Sequence, residues 1–544
     1  MKKKHLLLLL IIFFVGVFFR FTHLATIPVG FHLDEAIIGD NANFILHTGR
    51  DTDNAFLPLQ TEVFGDYNPT GYAYLAIPSI KVLGLTEFAT RFPGAFLGSL
   101  TVFATFFLVF ALLESAPIAL LAAAFFAVSP WDIVLSRSSE ETAVALFFVV
   151  SGFALLIYSM RKESVAYLIG AFVFLVLSYF MYFTPRVFVP LFFLSLFLPW
   201  KYWWKKRHEL FTKLFITSFI LLGAISVFLV VGLTGGANRF NQVSIFGFPA
   251  TKLVMDEQIR EDGVKHSPLI ETRLFHNKPL AYGYTYISNY LQYFTADFLF
   301  MKGGLPIWFR VPQLGLFYLI ELPFILYAVF LLCKERKKWS YLLFAWLFLA
   351  PVAGAITVDD IPNVRRALLM VPIVEALTAY GMVAFFSAVP KKMKKFAIIF
   401  IGLVTLFSVG YFSHEYFVHS QINKNWYRNE GFDTMVHDVK QVYNTYDHII
   451  VTKDNGGIYS EVLFYMNYDP AAYLSEGATK DAAYTGFGKF FFVPQACPAT
   501  NKDDRFPKGK VLYVEKGTCG NAGGIKEEYI NRQDGSPVFH LVYE

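Results

Sequence analysis

Long uninterrupted runs of apolar residues are the feature that most constrains this chain. The first, LLLLLIIFFVGVFF, occupies residues 6–19, and similar runs recur as far as residue 413. A helix needs about 20 mainly apolar residues to cross a bilayer, which is close to the length of these runs. Charged residues make up only 16% of the 544 residues, against roughly 25% in soluble domains. The sequence therefore predicts a polytopic α-helical membrane protein.

We expect about eleven transmembrane helices in this chain. They lie near residues 5–22, 90–113, 116–130, 141–160, 165–183, 186–200, 211–233, 313–333, 339–357, 367–388 and 396–413. The stretch 69–84 is apolar too, but it is short and contains Pro69 and Pro78, so it predicts a re-entrant or interfacial segment. The first run follows MKKK as in a signal peptide, but no small-residue cleavage site follows it, which favours an uncleaved helix.

Basic residues concentrate in the loops that this order of spans places on one side of the membrane. These loops carry MKKK, RKE at 161–163, KYWWKKR at 201–207, KERKK at 334–338 and KKMKK at 391–395. Because Lys and Arg are retained on the cytoplasmic side, we expect a multi-pass protein of the cell membrane with a cytoplasmic N-terminus. The net charge of +5 then reflects topology and does not indicate nucleic-acid binding.

The opposite, extracytoplasmic face receives all of the long connecting segments. They are residues 23–89, 130–141, 234–312 and 414–544. In the last of these, residues 432–446 have helical spacing of apolar residues, IYSEVLFYMNY predicts a second helix, and HIIV, KFFFV, KVLYV and VFHLVY predict strands. We therefore expect a membrane domain over 1–413 and a soluble, extracytoplasmic α/β domain over 414–544.

The three cysteines are too few for a disulfide framework. Cys333 falls at a predicted cytoplasmic helix end. Cys497 and Cys519 both lie in the extracytoplasmic tail, where a disulfide can persist. Their positions in the sequence leave open whether they are close enough to bond.

Asp34 and Glu35 stand side by side in HLDEA, shortly after the first predicted span. As a purely structural feature they would begin a helix, with Asp34 as the N-cap and Glu35 favourably placed in the helix dipole. That role does not exclude a chemical one, because a carboxylate held at a membrane surface can also accept a proton.

Further ionisable residues occur at the extracytoplasmic ends of other predicted spans. They are Asp132, Arg137, Glu140 and Glu141 before the fourth span, Arg186 at the sixth, and Arg365 and Arg366 at the tenth. A charge-rich turn is the plain alternative, but charges at a span edge are costly unless they are paired or functional. Arginines there run against the positive-inside bias, and a guanidinium matches phosphate oxygens with parallel hydrogen bonds.

Carboxylates and arginines at one membrane face predict transfer from a lipid phosphate. A carboxylate would take the proton of an acceptor hydroxyl while arginines stabilise the departing phosphate. Attack from the opposite face would invert the anomeric carbon, as in inverting glycosidases. The expected partners are a polyprenyl-phosphate-linked sugar, membrane lipids, and an acceptor that is a lipid, a glycan or a protein.

Several stretches together resemble the GT-C superfamily of membrane glycosyltransferases. They are HLDEA, TRFPGAFLGSLTVFATFFL, SPWDIVLSRSSEETAVALFF, NYLQYFTADFLFMKGG and NVRRALLMVPIVEALTAYGM. The likeness is to the protein-mannosyltransferase-like enzymes of glycosyltransferase family 39, near the aminoarabinose transferases, and it covers most of residues 1–415. The tail lacks the beta-trefoil-like segment of eukaryotic protein mannosyltransferases. Its α/β pattern instead indicates an accessory domain that covers the site or engages the acceptor.

The resemblance implies roles for particular residues of this chain. Asp34 matches the catalytic acidic position of the first outward loop, with Glu35 beside it, and Glu141 best matches the second acidic position. Arg137, Arg365 and Arg366 match basic positions that would hold the lipid phosphate. Glu140 is the alternative match to the second acidic position, and the charge pattern adds Arg186 to the expected substrate-binding residues. Asp34, Glu35 and Glu141, with His32, could assemble an oxygen-rich site for Mg²⁺ or Mn²⁺, although we do not expect a dedicated metal.

Two other classes of protein compete with an enzyme. A transporter or flippase of lipid-linked or sugar substrates would carry ionisable residues near the membrane midplane and broken helices in matching halves. Here the charges cluster at span ends and no matching halves are apparent. A membrane-anchored binding module would need one span rather than about eleven.

Overall fold

The structure is a computed structural model of the 544-residue chain. It describes residues 3–63, 66–197, 209–232, 240–335, 340–423, 425–477 and 482–544. The predicted cytoplasmic loop at 201–207 lies outside the described residues. So do the last residues of the loop at 334–338, the end of the span predicted near 186–200, and the start of the segment 234–312.

Most of the described chain is helical. The helices are α1 Lys3–Phe21, α2 Leu33–Thr48, α3 Gly71–Leu83, α4 Glu87–Leu113, α5 Ala116–Ala127, α6 Pro130–Ser136, α7 Glu141–Lys162, α8 Val165–Met181, α9 Thr184–Ser195, α10 Glu209–Val227, α11 Ala250–Val264, α12 Leu269–Phe275, α13 Lys278–Gln292, α14 Leu322–Glu335, α15 Ser340–Leu349, α16 Val352–Ala355, α17 Val371–Ala388, α18 Lys391–Phe417, α19 Phe432–Val442, α20 Ile458–Met466 and α21 Pro470–Glu476. The strands are β1 Gln60–Val63, β2 Asp66–Pro69, β3 His448–Thr452, β4 Thr485–Phe487, β5 Phe490–Val493, β6 Val511–Lys516, β7 Lys526–Asn531 and β8 Pro537–Tyr543.

The chain divides into two compact units. One, here called the membrane unit, comprises residues 1–22, 94–136 and 140–415. The other, the tail unit, comprises residues 23–93, 137–139 and 416–544. The loop that carries HLDEA thus groups with the C-terminal tail, although the two segments are far apart in sequence. The domain boundary that the sequence predicts at residue 413 stays a prediction.

Apolar helices of membrane-spanning length confirm the predicted polytopic membrane protein. Within the described ranges six helices are long and apolar enough to cross a bilayer: Lys3–Phe21, Glu87–Leu113, Glu141–Lys162, Glu209–Gly232, Leu368–Ala388 and Lys391–Gln421. A seventh span forms if the pair Ala116–Ala127 and Pro130–Ser136, which is bent by 53°, counts as one. Three other stretches predicted as spans form shorter apolar helices, Val165–Met181, Thr184–Ser195 and Ser340–Ala355.

The C-terminal part of the tail unit is an α/β domain, as the sequence predicts. Its six strands are ordered β4-β5-β3-β6-β8-β7, with β3 parallel to both β5 and β6 and the outer pairs antiparallel. Strand β3 is central because HIIVT is apolar on both faces, as expected for a strand covered on two sides. Cys497 and Cys519 form a disulfide, which resolves the open question about their pairing.

Helix α2, which carries HLDEA, packs within the same unit. Phe44 belongs to the buried apolar cluster formed mostly by residues of α19, α20 and the sheet, and its ring meets that of Tyr473 edge-on at 5.2 Å. Phe464 of α20 stacks near Phe31, with ring centroids 4.7 Å apart. A Cβ at Gly39 would lie 2.5 Å from the Phe464 ring, so only glycine permits this close approach. Asp34 and Glu35 therefore lie on a helix that packs against the C-terminal part of the same unit.

Candidate active site

The carboxylate pair lies in the first turn of α2. The helix begins at Leu33, and His32 is the N-cap: its backbone is extended, and its Nδ1 accepts a hydrogen bond from the backbone N–H of Asp34 at 3.2 Å. The prediction that Asp34 itself caps the helix is therefore wrong. The imidazole of His32 performs that function.

The two neighbouring carboxylates occupy different environments. The side chain of Asp34 is 39% exposed, and its carboxylate lies 3.6 Å from Nδ1 of His32. The side chain of Glu35 is only 2% exposed. Successive helical residues point about 100° apart, so one helix turn can present one carboxylate to solvent and bury the other. Of these two carboxylates, that of Asp34 is the one that solvent reaches.

Arg91 is the principal partner of Glu35. Its Nε and Nη2 donate to Oε2 of Glu35 at 3.3 and 2.9 Å. The same guanidinium donates to the carbonyl oxygens of Leu24 and Gly30, and its Cζ lies 5.2 Å from the ring centre of Phe31. Arg91 is fully buried, so these contacts fix the loop that leads into α2 as well as the carboxylate.

Arg137 contacts aromatic rings and backbone within the tail unit. Its Nη2 donates to the carbonyl of Ile27 at 2.9 Å. Its Cζ lies over the rings of Tyr416 and Phe417, at 5.6 and 5.1 Å from their centres. These contacts keep a fully buried guanidinium in place, and its predicted contact with a lipid phosphate remains a prediction.

In the membrane unit, Glu140 and Arg365 approach each other. Glu140 precedes α7 as its N-cap residue, and its Oε2 lies 3.8 Å from Nη1 of Arg365. Glu141, the first residue of the helix, is partly exposed. Thr142 donates to the carbonyl of Arg365 at 2.8 Å, which ties the start of α7 to the loop before α17. The structure thus brings the charged turn before α7 into contact with the loop that carries Arg365. The sequence predicts both as charged span ends but does not show that they meet.

The loop carrying Arg365 and Arg366 has a defined conformation. The side-chain oxygen of Asn363 accepts hydrogen bonds from the backbone N–H of both arginines. Arg366 then donates from Nη1 and Nη2 to Asp359 at 3.1 and 2.7 Å, and from Nη1 to Thr357 at 2.6 Å. Burial lowers the pKa of Arg366, but the hydrogen bonds to Asp359, together with the electrostatic effects of Tyr182 and Asp359, raise the pKa overall.

Arg186 lies beside Arg366 in the lining of one cavity. Its Nε donates to the carbonyl of Tyr179 at 3.0 Å, Nη1 to that of Leu229 at 3.3 Å, and its Cζ lies 4.7 Å from the ring centre of Phe183. The cavity has a volume of about 130 Å³. It is lined by two arginines, four hydroxyl-bearing residues and an apolar remainder: Arg186, Arg366, Tyr182, Thr184, Ser244, Thr357, Phe183, Val187, Val230, Phe240, Val243, Ala353 and Ile356.

Asp132 belongs to a closed ion pair. Both its carboxylate and the guanidinium of Arg20 are fully buried, with Nη2 of Arg20 2.7 Å from Oδ2 of Asp132. Arg20 also donates to the carbonyl oxygens of Gly16, Phe126 and Ala127. This pair joins α1 to the bend between α5 and α6 and so has a structural role.

The sequence analysis missed Arg91, Arg428 and Tyr465. Nη2 of Arg428 lies 3.6 Å from Oε1 of Glu35, and the Tyr465 hydroxyl donates to Glu87, which is itself 3.4 Å from Arg91. Arg91 does leave a signal, because an arginine inside an apolar run is costly without a partner. Nothing local distinguishes Arg428 or Tyr465 from other residues of the tail.

The contacts of the candidate carboxylates bear on whether they could hold a metal ion. Among the residues that the structure describes, no three His, Cys, Asp or Glu side chains come together as a metal-binding group. Glu35, one of the suggested ligands, is engaged by two arginines. Its oxygens are therefore committed to cations that belong to the chain.

Comparison with known proteins gives matches of structure only. No family model and no curated protein matches the chain. ArnT from Cupriavidus metallidurans in the apo state matches with a TM-score of 0.51 and 10% identity, over 99% of this chain and 97% of ArnT. ArnT bound to undecaprenyl phosphate matches with a TM-score of 0.50 and 9% identity over the same shares.

A second protein shares the architecture. The archaeal oligosaccharyltransferase AglB from Archaeoglobus fulgidus, in complex with an inhibitory peptide and a dolichol-phosphate, matches with a TM-score of 0.50 and 14% identity, over 85% of this chain. The chain spans 64% of the length of AglB. At these identities the likeness establishes the fold alone, and the expected polytopic helical membrane protein with a C-terminal α/β domain is confirmed.

Proposed function

We propose that this chain is a membrane glycosyltransferase that moves a sugar from a polyprenyl-phosphate donor to an acceptor hydroxyl. The observation that carries the proposal is the cavity lined by Arg186 and Arg366. Two guanidiniums and four hydroxyl-bearing residues suit phosphate oxygens, and the apolar remainder suits the first part of a prenyl chain. One cavity thus combines the two chemistries of a lipid phosphate.

The size of the cavity supports a headgroup site. Its volume of about 130 Å³ is several times the roughly 10–15 Å³ that a cavity needs to hold one water molecule. A phosphate fits that space, whereas a long prenyl chain must continue beyond it. Shared architecture supports the same ligand class, because ArnT has been solved with undecaprenyl phosphate and AglB with a dolichol-phosphate.

Asp34 is the base of the proposed reaction. Its carboxylate takes the proton of the acceptor hydroxyl as that oxygen bonds to the anomeric carbon. The bond between that carbon and the phosphate oxygen breaks, its electron pair leaves with the phosphate, and the anomeric centre inverts. Arg186 and Arg366 stabilise the charge that develops on the phosphate. Glu35, held by Arg91, fixes the helix turn from which Asp34 projects.

The remaining site candidates have supporting roles in this proposal. Glu141, which is partly exposed at the start of α7, positions the acceptor, and Glu140 holds Arg365 near the donor phosphate. The lysine and arginine bias of the loops supports a cytoplasmic N-terminus. Transfer then takes place on the extracytoplasmic face of the cell membrane, where the acceptor is a lipid, a glycan or a protein.

The test uses purified protein in detergent and a panel of radiolabelled polyprenyl-phosphate sugars, with membrane extract as acceptor. We compare wild type with Asp34→Asn and, as a matched control, Asp53→Asn, which neutralises an exposed carboxylate of the same sequence segment. Turnover of one donor that Asp34→Asn abolishes and Asp53→Asn retains is the expected result. Equal turnover by wild type and Asp34→Asn contradicts the role of the base, and failure to turn over any donor favours the transporter.

A further inference from the structure

The C-terminal tail makes direct contact with the loop that leads into α2. The side-chain oxygen of Gln421 accepts a hydrogen bond from the backbone N–H of Val29 at 2.7 Å. Gly30 has a φ of +75°, and a Cβ at this position would lie 2.2 Å from the carbonyl oxygen of Arg428. The backbone around Arg428 therefore packs against HLDEA so closely that Gly30 cannot be replaced without displacing it.

Arg428 also forms an ion pair with the buried carboxylate of Glu35. Its Nη2 lies 3.6 Å from Oε1 of Glu35, while Arg91 holds the other oxygen, Oε2, at 2.9 Å. The carboxylate is thus clamped between one guanidinium from α4 and one from the tail. All three side chains are more than nine-tenths buried, so their attraction is weakly screened by solvent.

Tyr465 is linked to the Arg91–Glu35 pair indirectly, through Glu87. Its hydroxyl donates to Oε1 of Glu87 at 2.6 Å, and Oε2 of Glu87 lies 3.4 Å from Nη1 of Arg91. Burial and the neighbouring Glu87 raise the pKa of Tyr465 well above its usual value, so the hydroxyl keeps the proton that it donates. Helix α20 of the tail therefore fixes Glu87, Glu87 fixes Arg91, and Arg91 fixes Glu35.

We propose that Arg428 and Tyr465 are positioning residues for the transfer reaction, a role that rests on the proposed function. They do not touch substrate. They hold Glu35 and Arg91, which set the orientation of the first turn of α2 and hence the reach of the Asp34 carboxylate. A displacement of about 1 Å at a reacting group can reduce a rate about a hundredfold, so small losses of constraint are measurable.

The first test separates charge from packing at position 428. Arg428→Met removes the positive charge and keeps most of the apolar stem, whereas Arg428→Lys restores the charge. We expect Arg428→Met to lower kcat by about tenfold with donor KM within about twofold of wild type, and Arg428→Lys to recover most of that kcat. A packing role alone predicts similar kcat values for the two variants, because lysine and methionine have similar stems.

The second test removes one hydroxyl. Tyr465→Phe keeps the ring and loses only the hydrogen bond to Glu87, and we expect kcat to fall by about threefold to tenfold. Tyr543→Phe is the matched control, since the Tyr543 hydroxyl donates to Glu528 at 2.7 Å on the outer strands of the same α/β domain. We expect that control to keep wild-type kcat and donor KM.

The outcomes distinguish this inference from the proposed function. If wild type turns over a donor and Asp34→Asn does not, but Arg428→Met and Tyr465→Phe both match wild type, the positioning role is wrong and the enzyme assignment stands. If the two variants lose thermal stability yet keep kcat per folded molecule, their role is structural only, which also overturns the inference. If wild type turns over no donor, the proposed function itself fails.

Discussion

Two buried arginine–carboxylate pairs in this molecule resemble each other in geometry and differ in their connections. Arg20–Asp132 in the membrane unit and Arg91–Glu35 in the tail unit both have a closest approach of 2.7–2.9 Å and guanidiniums without exposed surface. The first pair is surrounded by backbone carbonyls. The second adjoins Asp34 in sequence and is held by further charged groups. Burial of an ion pair therefore does not by itself mark a candidate site, and the contacts around the pair are what distinguish the second pair from the first.

The largest effect is expected from Arg91→Met. Loss of its guanidinium releases Oε2 of Glu35 and the carbonyls of Leu24 and Gly30 together, so the start of α2 loses its main constraint. We expect kcat to fall by about a hundredfold or more, measured with the donor that wild type turns over. Activity close to wild type per folded molecule would show that the second pair is as purely structural as the first.

Arg20→Met should affect stability instead. It leaves the Asp132 carboxylate buried without its cation, which costs about 3–5 kcal/mol, and we expect kcat per folded molecule to remain near wild type. Thermal or denaturant unfolding in detergent measures the loss. The double variant Arg20→Met/Asp132→Leu should recover most of it, because replacing both charges removes the unpaired one. A double variant no more stable than Arg20→Met contradicts this explanation.

Arg366→Ala tests whether the cavity lined by Arg186 and Arg366 binds the donor, a role that differs from the one expected of the Arg91–Glu35 pair. Removing a guanidinium that binds the donor phosphate and stabilises its developing charge weakens both donor binding and transfer, so we expect donor KM to rise about tenfold and kcat to fall as well. Initial rates over a range of donor concentrations separate the two effects. Arg310→Ala, which removes another arginine of the membrane unit outside this cavity, is the control, and an equal rise of KM in both would argue against a specific phosphate contact.

The smallest effect concerns Glu461 in α20, which accepts a hydrogen bond from Asn429 at 2.8 Å. Burial raises the pKa of this carboxyl well above its usual value, and the contact with Asn429 opposes this only in part. A raised pKa in the folded state stabilises the protein at pH values below the unfolded pKa, and this stabilisation is lost as pH rises through the folded pKa. Glu461→Gln, which mimics the protonated form, should raise Tm by a few degrees at pH 8 and little at pH 5; equal shifts at both would contradict this.

The sequence predicts the class of fold well because its signals are local. Apolar runs predict the spans, and short apolar runs predict the strands of the tail. HLDEA predicts a helix that begins with a carboxylate pair. The N-cap at His32 was missed because an imidazole acceptor is uncommon at that position, where Ser, Thr, Asp and Asn are preferred. The span predicted near 165–183 forms a helix of 17 residues, at the lower end of the roughly 17–25 that cross a bilayer. The span predicted near 186–200 forms the shorter helix Thr184–Ser195 within the described residues.

The partners of the candidate residues are not local, and the sequence does not reveal them. Arg186 and Arg366 line one cavity although they belong to different predicted spans, and Glu35 meets Arg428 from the opposite end of the chain. Arg137 shows that a residue type can also suggest a contact that differs from the one observed. Its type and position favour phosphate binding, yet in the tail unit it lies over two aromatic rings. Charge patterns identify candidate residues, but only the packed structure assigns their contacts.

The close packing of Gly30 against Arg428 has a consequence for biosynthesis. A ribosome makes HLDEA early, and the first span enters the membrane long before Arg428 and Tyr465 are translated. Until then Glu35 lacks one of its two cations and Glu87 lacks its hydroxyl donor. Nascent or prematurely terminated chains therefore carry the proposed base without the contacts that orient it. In the proposed reaction, transfer would therefore begin only once the segment that carries Arg428 and Tyr465 has been made and folded.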